Sequence, residues 1–195
     1  MRLGKITRVT KETNIQVELI VDGKGLSRIS TGVGFFDHML TAFAKHGFFD
    51  LKVDAEGDLE VDAHHTVEDV GIVLGQALAE ALGDKTAITR FGTALVPMDE
   101  ALMMASIDIS GRPYLALDWD LPNEMLGAFP TVLGEEFFRA FAFNAGMTLH
   151  IRQLAGRNAH HILEAAFKAV ARALALACAV DDRIEGILST KGFLA

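Results

Sequence analysis

The feature that most constrains this chain is a duplication. "DAHHTVEDVG" at 62–71 returns as "NAHHILEAAF" at 158–167, and at an offset of 96 residues Asp62 matches Asn158, His64 matches His160, His65 matches His161 and Glu68 matches Glu164. Apolar positions keep step as well: Val67 with Leu163, Leu74 with Val170, Leu78 with Leu174. A repeat of about half the chain points to two similar units, each a strand pair, helix, strand and helix.

The periodicity gives each unit its elements. "GKITRVTKETNIQVELIVDG" reads as two strands around a turn at Glu12 to Asn14, with Ile15, Val17 and Leu19 on one face and Gln16 and Glu18 on the other. "GFFDHMLTAFAKHG" has helical spacing and closes on Gly47; "FFDLKVDAEGDLEVD" alternates again, with Phe49, Leu51 and Val53 on one face. The long helix "AHHTVEDVGIVLGQALAEALG" ends at Gly83. The second half follows suit: two strands in "EALMMASIDISGRPYLALDWDL" with a turn near Gly111, a helix "LGEEFFRAFAFNAG", a strand "MTLHIRQLAG" and a helix "AHHILEAAFKAVARALALACA". The expected class is α+β, two ββαβα-type halves (about 1–93 and 94–195) forming one domain over 1–195, with helices packed between antiparallel-rich or mixed sheets. At 50% hydrophobic residues the chain can bury a substantial core.

Composition excludes several classes. A formal charge of -8 leaves no basic footprint for nucleic acid. The single cysteine, Cys178, lies in the apolar run "ARALALACAV", which makes it a core residue and rules out an internal disulfide. The N-terminal stretch lacks an apolar signal core and no apolar run reaches membrane-spanning length, so the expectation is a soluble protein of the cytoplasm, or of an organelle after loss of a transit peptide, with no membrane partner.

The doubled His-His-x-x-Glu is the chemical signal. Asp62 and Asn158 are good N-cap residues, so both histidine pairs fall in a first helical turn. Adjacent helical residues point roughly 100° apart, so His64 and His65 diverge and suit two metal ions, one each. Glu68 shares a face with either, and the same holds for His160, His161 and Glu164. Neutral imidazole with carboxylate suits Mn, Fe, Zn or Ni, and the lack of thiolate ligands argues against a closed structural zinc site. A solvated or structural role is the ordinary reading of one helix-start histidine, but two copies in register argue against it. The zincin motif is absent, and its inverted form fails at Asp69 and Ala165. A non-catalytic metal store and a histidine-stapled oligomer are the competing readings.

"STGVGFFDHMLTAFAKHGFFDL", "DAHHTVEDVGIVLGQAL", "HIRQLAGRNAHHILEAAFKAVARAL" and "STKGFL" together resemble the imidazoleglycerol-phosphate dehydratase family of histidine biosynthesis, in order and over nearly the whole chain. The resemblance implies a ribosomal protein S5 domain 2-like fold, the monofunctional form without a fused phosphatase, and dehydration of imidazole glycerol phosphate to imidazole acetol phosphate. It also implies two Mn(II) ions that stabilise an imidazolate and a diazafulvene-like intermediate, and a 24-mer whose sites are shared between subunits. By position the implied metal ligands are His38, His64, His65, Glu68, Glu136, His160, His161 and Glu164; Glu136 stands where many family members carry histidine. Glu68 and Glu164 are the implied proton-transfer groups. Glu12, His46, Arg90, Arg112, Lys168, Ser189, Thr190 and Lys191 match substrate and phosphate positions, as Arg and Lys suit a phosphate dianion. His150 matches no ligand position and is left structural.

Overall fold

Alternation of apolar and polar residues builds the first unit's hairpin. In this computed structural model, which describes residues 1–194, strands β1 (Leu3–Val9) and β2 (Thr13–Ile20) pair antiparallel, with Ile15, Val17 and Leu19 buried. The turn is Thr10 to Glu12, earlier than expected, because Asn14 already pairs with Val9. After β3 (Ser27–Ser30) come helix α1 (Gly34–Gly47), strand β4 (Asp50–Gly57) and helix α2 (His64–Leu82). The second unit is β5 (Phe91–Met98), β6 (Ala101–Asp108), β7 (Tyr114–Asp118), α3 (Leu133–Ala145), a strand we label after the small β8 (Met125–Leu126) and β9 (Phe129–Pro130) hairpin as β10 (Thr148–Ala155), and α4 (Ala159–Cys178).

The α+β class and the duplication are borne out, but each unit's sheet has four strands where the ββαβα reading gives three, β3 and β5 being the additions. The two sheets run β1-β2-β4-β3 and β5-β6-β10-β7, with β3 parallel to β4 and β7 parallel to β10. β6 and β7 are therefore not a hairpin around Gly111: β10 lies between them, because a parallel edge needs the chain to cross over. A seam at residues 93 and 94 cuts β5, all of which pairs with β6, so the second unit begins at Phe91.

The four helices form a layer between the sheets: α2 packs on β1 and β2, α4 on β5 and β6, while α2 meets α3 and α1 meets α4 across the middle. Strand and helix approach unusually closely at two matched points. A Cβ on Gly4 would lie 1.9 Å from the Ala77 carbonyl oxygen, and one on Gly92 would lie 2.0 Å from that of Ala173. Phe137, Phe138 and Phe167 pack together in the core with ring centroids 4.7 to 5.3 Å apart. Cys178 is buried there too, and burial pushes its thiol up to about 12.

Two helix ends differ from expectation. Gly47 is the last residue of α1, but the left-handed position is Phe48 (φ 59°); Gly47 is needed because a Cβ there would strike the Phe49 ring at 2.3 Å. Asn158 caps α4, its side chain accepting from His161 N. Asp62 does not cap α2: the N-cap is Ala63, and the Asp62 carboxylate instead accepts from His64 N at 2.7 Å, one residue outside the helix.

Candidate metal centre and substrate cleft

Divergence within each histidine pair follows from helix geometry. The rings of His64 and His65 stand 6.1 Å apart at 82°, and those of His160 and His161 stand 6.1 Å apart at 79°. At the second pair, the packing of α1 from the first unit on α4 brings His38 to His160 and Glu164, a group that could hold a metal ion. His38 Nε2 lies 3.0 Å from Glu164 Oε2, and His160 Nε2 lies 3.1 Å from the same oxygen. The donor atoms of His38, His160 and Glu164 fall within 4.8 Å of one another, the one such group among the described residues. Two imidazoles and a carboxylate, one mouth of the group open to solvent through His38, fit a divalent transition metal. Phe35 packs edge-on against the His160 ring at 5.1 Å and forms an apolar wall.

Lys168, one turn along α4, donates to Glu164 Oε1 at 2.6 Å. Burial alone would raise the Glu164 carboxyl; Lys168, His38 and His160 outweigh it and hold it at about 2. Lys168 thus sits beside the ligand group. His46, in the last turn of α1, feels the same ammonium: surrounding protein and then Lys168 push its imidazole below the usual value.

His64, His65, Glu68, Glu136 and His161 stand outside that group. His64 Nε2 is 3.9 Å from Glu68 Oε2, a looser copy of His160 and Glu164. Glu136 occupies in α3 the place of His38 in α1, an offset of 98 residues that also relates Phe43 to Phe141 and Leu51 to Leu149. It faces a cleft with Trp119, Asp120 and Glu135.

Two carboxylates absent from the sequence reading hold the outward histidines. Asp58 accepts from His65 Nδ1 at 3.0 Å, and Glu100 accepts from His161 Nδ1 at 2.7 Å. Such bonds fix the tautomer and leave the Nε2 lone pair facing outward. The hydrogen bonds raise both imidazoles, and the His161 bond with the Asn158 and Arg157 amides brings Glu100 to about 2. The signal for Glu100 was legible, since it follows Glu12 at the 88-residue offset that relates the two hairpins. Glu12 itself is exposed in its turn, with Oε2 3.9 Å from His65 Nδ1.

The cationic residues gather elsewhere. Arg90, Arg112, Ser189, Thr190 and Lys191 line a cleft of about 850 Å³ under the C-terminal segment, together with Arg183, which sequence reasoning missed. Arg90 grips Asp108 with two nitrogens, at 2.7 and 3.0 Å, and donates to the Leu188 carbonyl at 2.9 Å, so it ties the segment down. Arg112 is the freer guanidinium, 3.8 Å from Asp108. His150 lies on β10 beside Tyr114, clear of both sites.

The model of the family "Imidazoleglycerol-phosphate dehydratase" matches residues 31–174, a stretch that holds all the histidine pairs. The chain belongs to the imidazoleglycerol-phosphate dehydratase family. The imidazoleglycerol-phosphate dehydratase of Acetivibrio thermocellus is 63% identical over 193 residues, covering 99% of each chain. That of Thermoanaerobacter pseudethanolicus is 62% identical over 194 residues, covering 100% of each. Among solved structures, the imidazoleglycerol-phosphate dehydratase of Staphylococcus aureus superposes with a TM-score of 0.83 at 44% identity, over 92% of this chain and 99% of the other. The Pyrococcus furiosus enzyme in complex with (S)-C348 gives 0.84 at 44% identity, over 97% and 100%. Among the described residues no helix is long and apolar enough to cross a membrane.

Proposed function

We propose that this chain removes water from imidazole glycerol phosphate to give imidazole acetol phosphate, a step of histidine biosynthesis in the cytoplasm. Family membership supports the reaction, and the convergence of His38, His160 and Glu164 carries its metal dependence. The 1–195 chain acts as one dehydratase domain of two pseudo-repeats.

The ligand set is His38, His64, His65, Glu68, Glu136, His160, His161 and Glu164, serving two Mn(II) ions. Ions held there supply Lewis-acid stabilisation to the substrate's imidazole ring. Because five of the eight stand apart within one chain, the sites are completed between subunits of a 24-mer, where outward Nε2 atoms of His65 and His161 meet donors of a second copy. Glu136 brings a carboxylate to the position that in the other unit holds the His38 imidazole.

Loss of water takes a proton from one carbon and a hydroxyl from its neighbour, leaving an enol that ketonises. Glu68 and Glu164 are the proton carriers. Glu164 has one oxygen fixed by Lys168 and the other on the imidazoles, whereas Glu68 keeps its carboxylate open to solvent. Arg112, Lys191, Ser189 and Thr190 hold the phosphate, Arg90 anchors the segment that carries three of them, and Glu12, His46 and Lys168 contact the substrate.

The test is to strip the purified protein of metal, restore Mn(II) and follow acetol phosphate. Product that depends on the added ion is expected; no product with any divalent metal overturns the reading.

A further inference from the structure

Beneath the paired histidines the two units differ in kind. In the first, Asp69 is buried one turn after His65, although it is a carboxylate. Its Oδ2 accepts from Thr13 Oγ1 at 2.5 Å and its Oδ1 from Arg8 Nε at 3.1 Å. Thr13 Oγ1 lies 3.2 Å from Thr10 Oγ1, which accepts in turn from the amides of Glu12 at 3.0 Å and Thr13 at 2.9 Å. With the Thr13 proton given to Asp69, the Thr10 hydroxyl can only donate toward Thr13, to its Oγ1 at 3.2 Å or its carbonyl at 3.5 Å. The chain therefore starts on helix α2 and ends on the backbone of the turn that presents Glu12. In the second unit the matched positions are Val96, Ala101 and Ala165, all apolar, and no such chain exists.

The reason for the difference lies in what each turn does. Glu100 holds itself in place: it binds His161 directly and accepts from the amides of Arg157 and Asn158 at 3.2 and 2.8 Å. Glu12 has no such grip. Asp58 has taken over the Nδ1 of His65, which leaves the Glu12 carboxylate 3.9 Å from that atom, and the turn is tied through its backbone, with Asp58 N donating to the Glu12 carbonyl at 3.1 Å and Thr10 N to the Thr13 carbonyl at 2.8 Å. A carboxylate left free for another partner needs its backbone fixed by other means.

We infer that the buried chain Asp69–Thr13–Thr10 is a positioning device for the dehydration, setting the Glu12 turn in register with His65 and Glu68 on α2. It acts through Glu12, so it rests on the proposed role of Glu12 as a substrate contact. Burial of a carboxylate where the twin unit uses alanine is a cost to packing that stability alone does not require.

The test uses the full-length, Mn(II)-restored protein and five variants: Thr13→Val, Thr13→Ser, the twin-unit transplant Arg8→Val/Thr13→Ala/Asp69→Ala, Glu12→Gln, and Glu12→Gln/Thr13→Val. Metal content, melting temperature, kcat and KM are measured for each. Thr13→Val and the transplant are expected to keep their metal and to lose about 10- to 100-fold in kcat/KM, the scale of a small misplacement. Thr13→Ser, which keeps the hydroxyl, should stay within about two-fold of the parent. Glu12→Gln/Thr13→Val should be no slower than Glu12→Gln, because a device that acts through Glu12 has nothing left to position. Effects that multiply overturn the inference, as does parent-like activity of Thr13→Val or of the transplant beside a crippled Glu12→Gln. A parent-like Glu12→Gln removes the substrate-contact reading itself and the inference with it. If Thr13→Val fails to fold, the transplant decides, since its packing copies that of the second unit.

Discussion

Glu68 and Glu164 occupy the same place in two copies of one helix, yet their surroundings are opposed. Glu164 is buried, with Lys168 on one oxygen and two imidazoles on the other. Glu68 is about half exposed, 3.9 Å from its nearest imidazole, and where Lys168 would stand the first unit has Ile72. The duplicated helix start fixes where the donors are; the residues one turn further on decide how each behaves. The neighbours of Glu164 hold its charge, while Glu68 faces solvent with its nearest imidazole further off.

This contrast can be broken most forcefully at the carboxylates. Glu164→Gln should lower turnover about 10²- to 10⁴-fold and lose bound metal together with it. Glu68→Gln should lose turnover while the His38–His160–Glu164 group still takes up metal. Metal analysis and single-turnover assays separate the two, and equal metal loss in both variants would erase the distinction. Next in size are the matched glycines: Gly4→Ala and Gly92→Ala should each destabilise by about 1–3 kcal/mol or more in chemical denaturation, because the added carbon meets backbone on both sides. A large effect in only one unit would show that the units are not packed alike.

Acid provides a third comparison. The Glu164 carboxyl sits at about 2 in the folded protein against an ordinary 4.5, so the unfolded chain binds more protons between those values. The stability it contributes is fully present above about pH 4.5 and is lost as pH falls toward about 2. Metal-free Glu164→Gln should therefore show a flatter loss of stability across that window; an unchanged acid titration counts against the clamp. The smallest effect is at the ends of α1 and α3, where Phe48 and Gly146 occupy matched left-handed positions with φ of 59° and 64°. Phe48→Gly should relieve strain and stabilise by up to about 1 kcal/mol, less what is lost from the ring's contact with Arg172.

Much of this was legible in the residues, because helical and strand periods survive translation into structure. The repeat, the four long helices and the divergence of each histidine pair follow from spacing alone. What was not legible depends on partners distant in sequence. β3 is four residues long with little apolar alternation and does not announce itself, while β7 reads as a strand but pairs in parallel with one more than thirty residues away rather than with β6. The i,i+4 spacing on α4 sets Lys168 beside Glu164, but nothing local says that Arg112 turns to the C-terminal cleft, since both are cations matched to substrate positions. Asp62 and Asn158 look alike as caps, but only Asn158 sits at the helix boundary; the chain before α2 places Ala63 there instead.

The close approaches at Gly4 and Gly92 have a consequence for how this protein tolerates change. At both points main chain rests on main chain, so the distance between sheet and helix is set by atoms common to every residue rather than by any side chain. A change in the size of a neighbouring core side chain therefore leaves that distance, and the height of the histidine-bearing ends of α2 and α4, where it is. The two glycines act as gauge blocks: fixed spacers against which the interior is assembled.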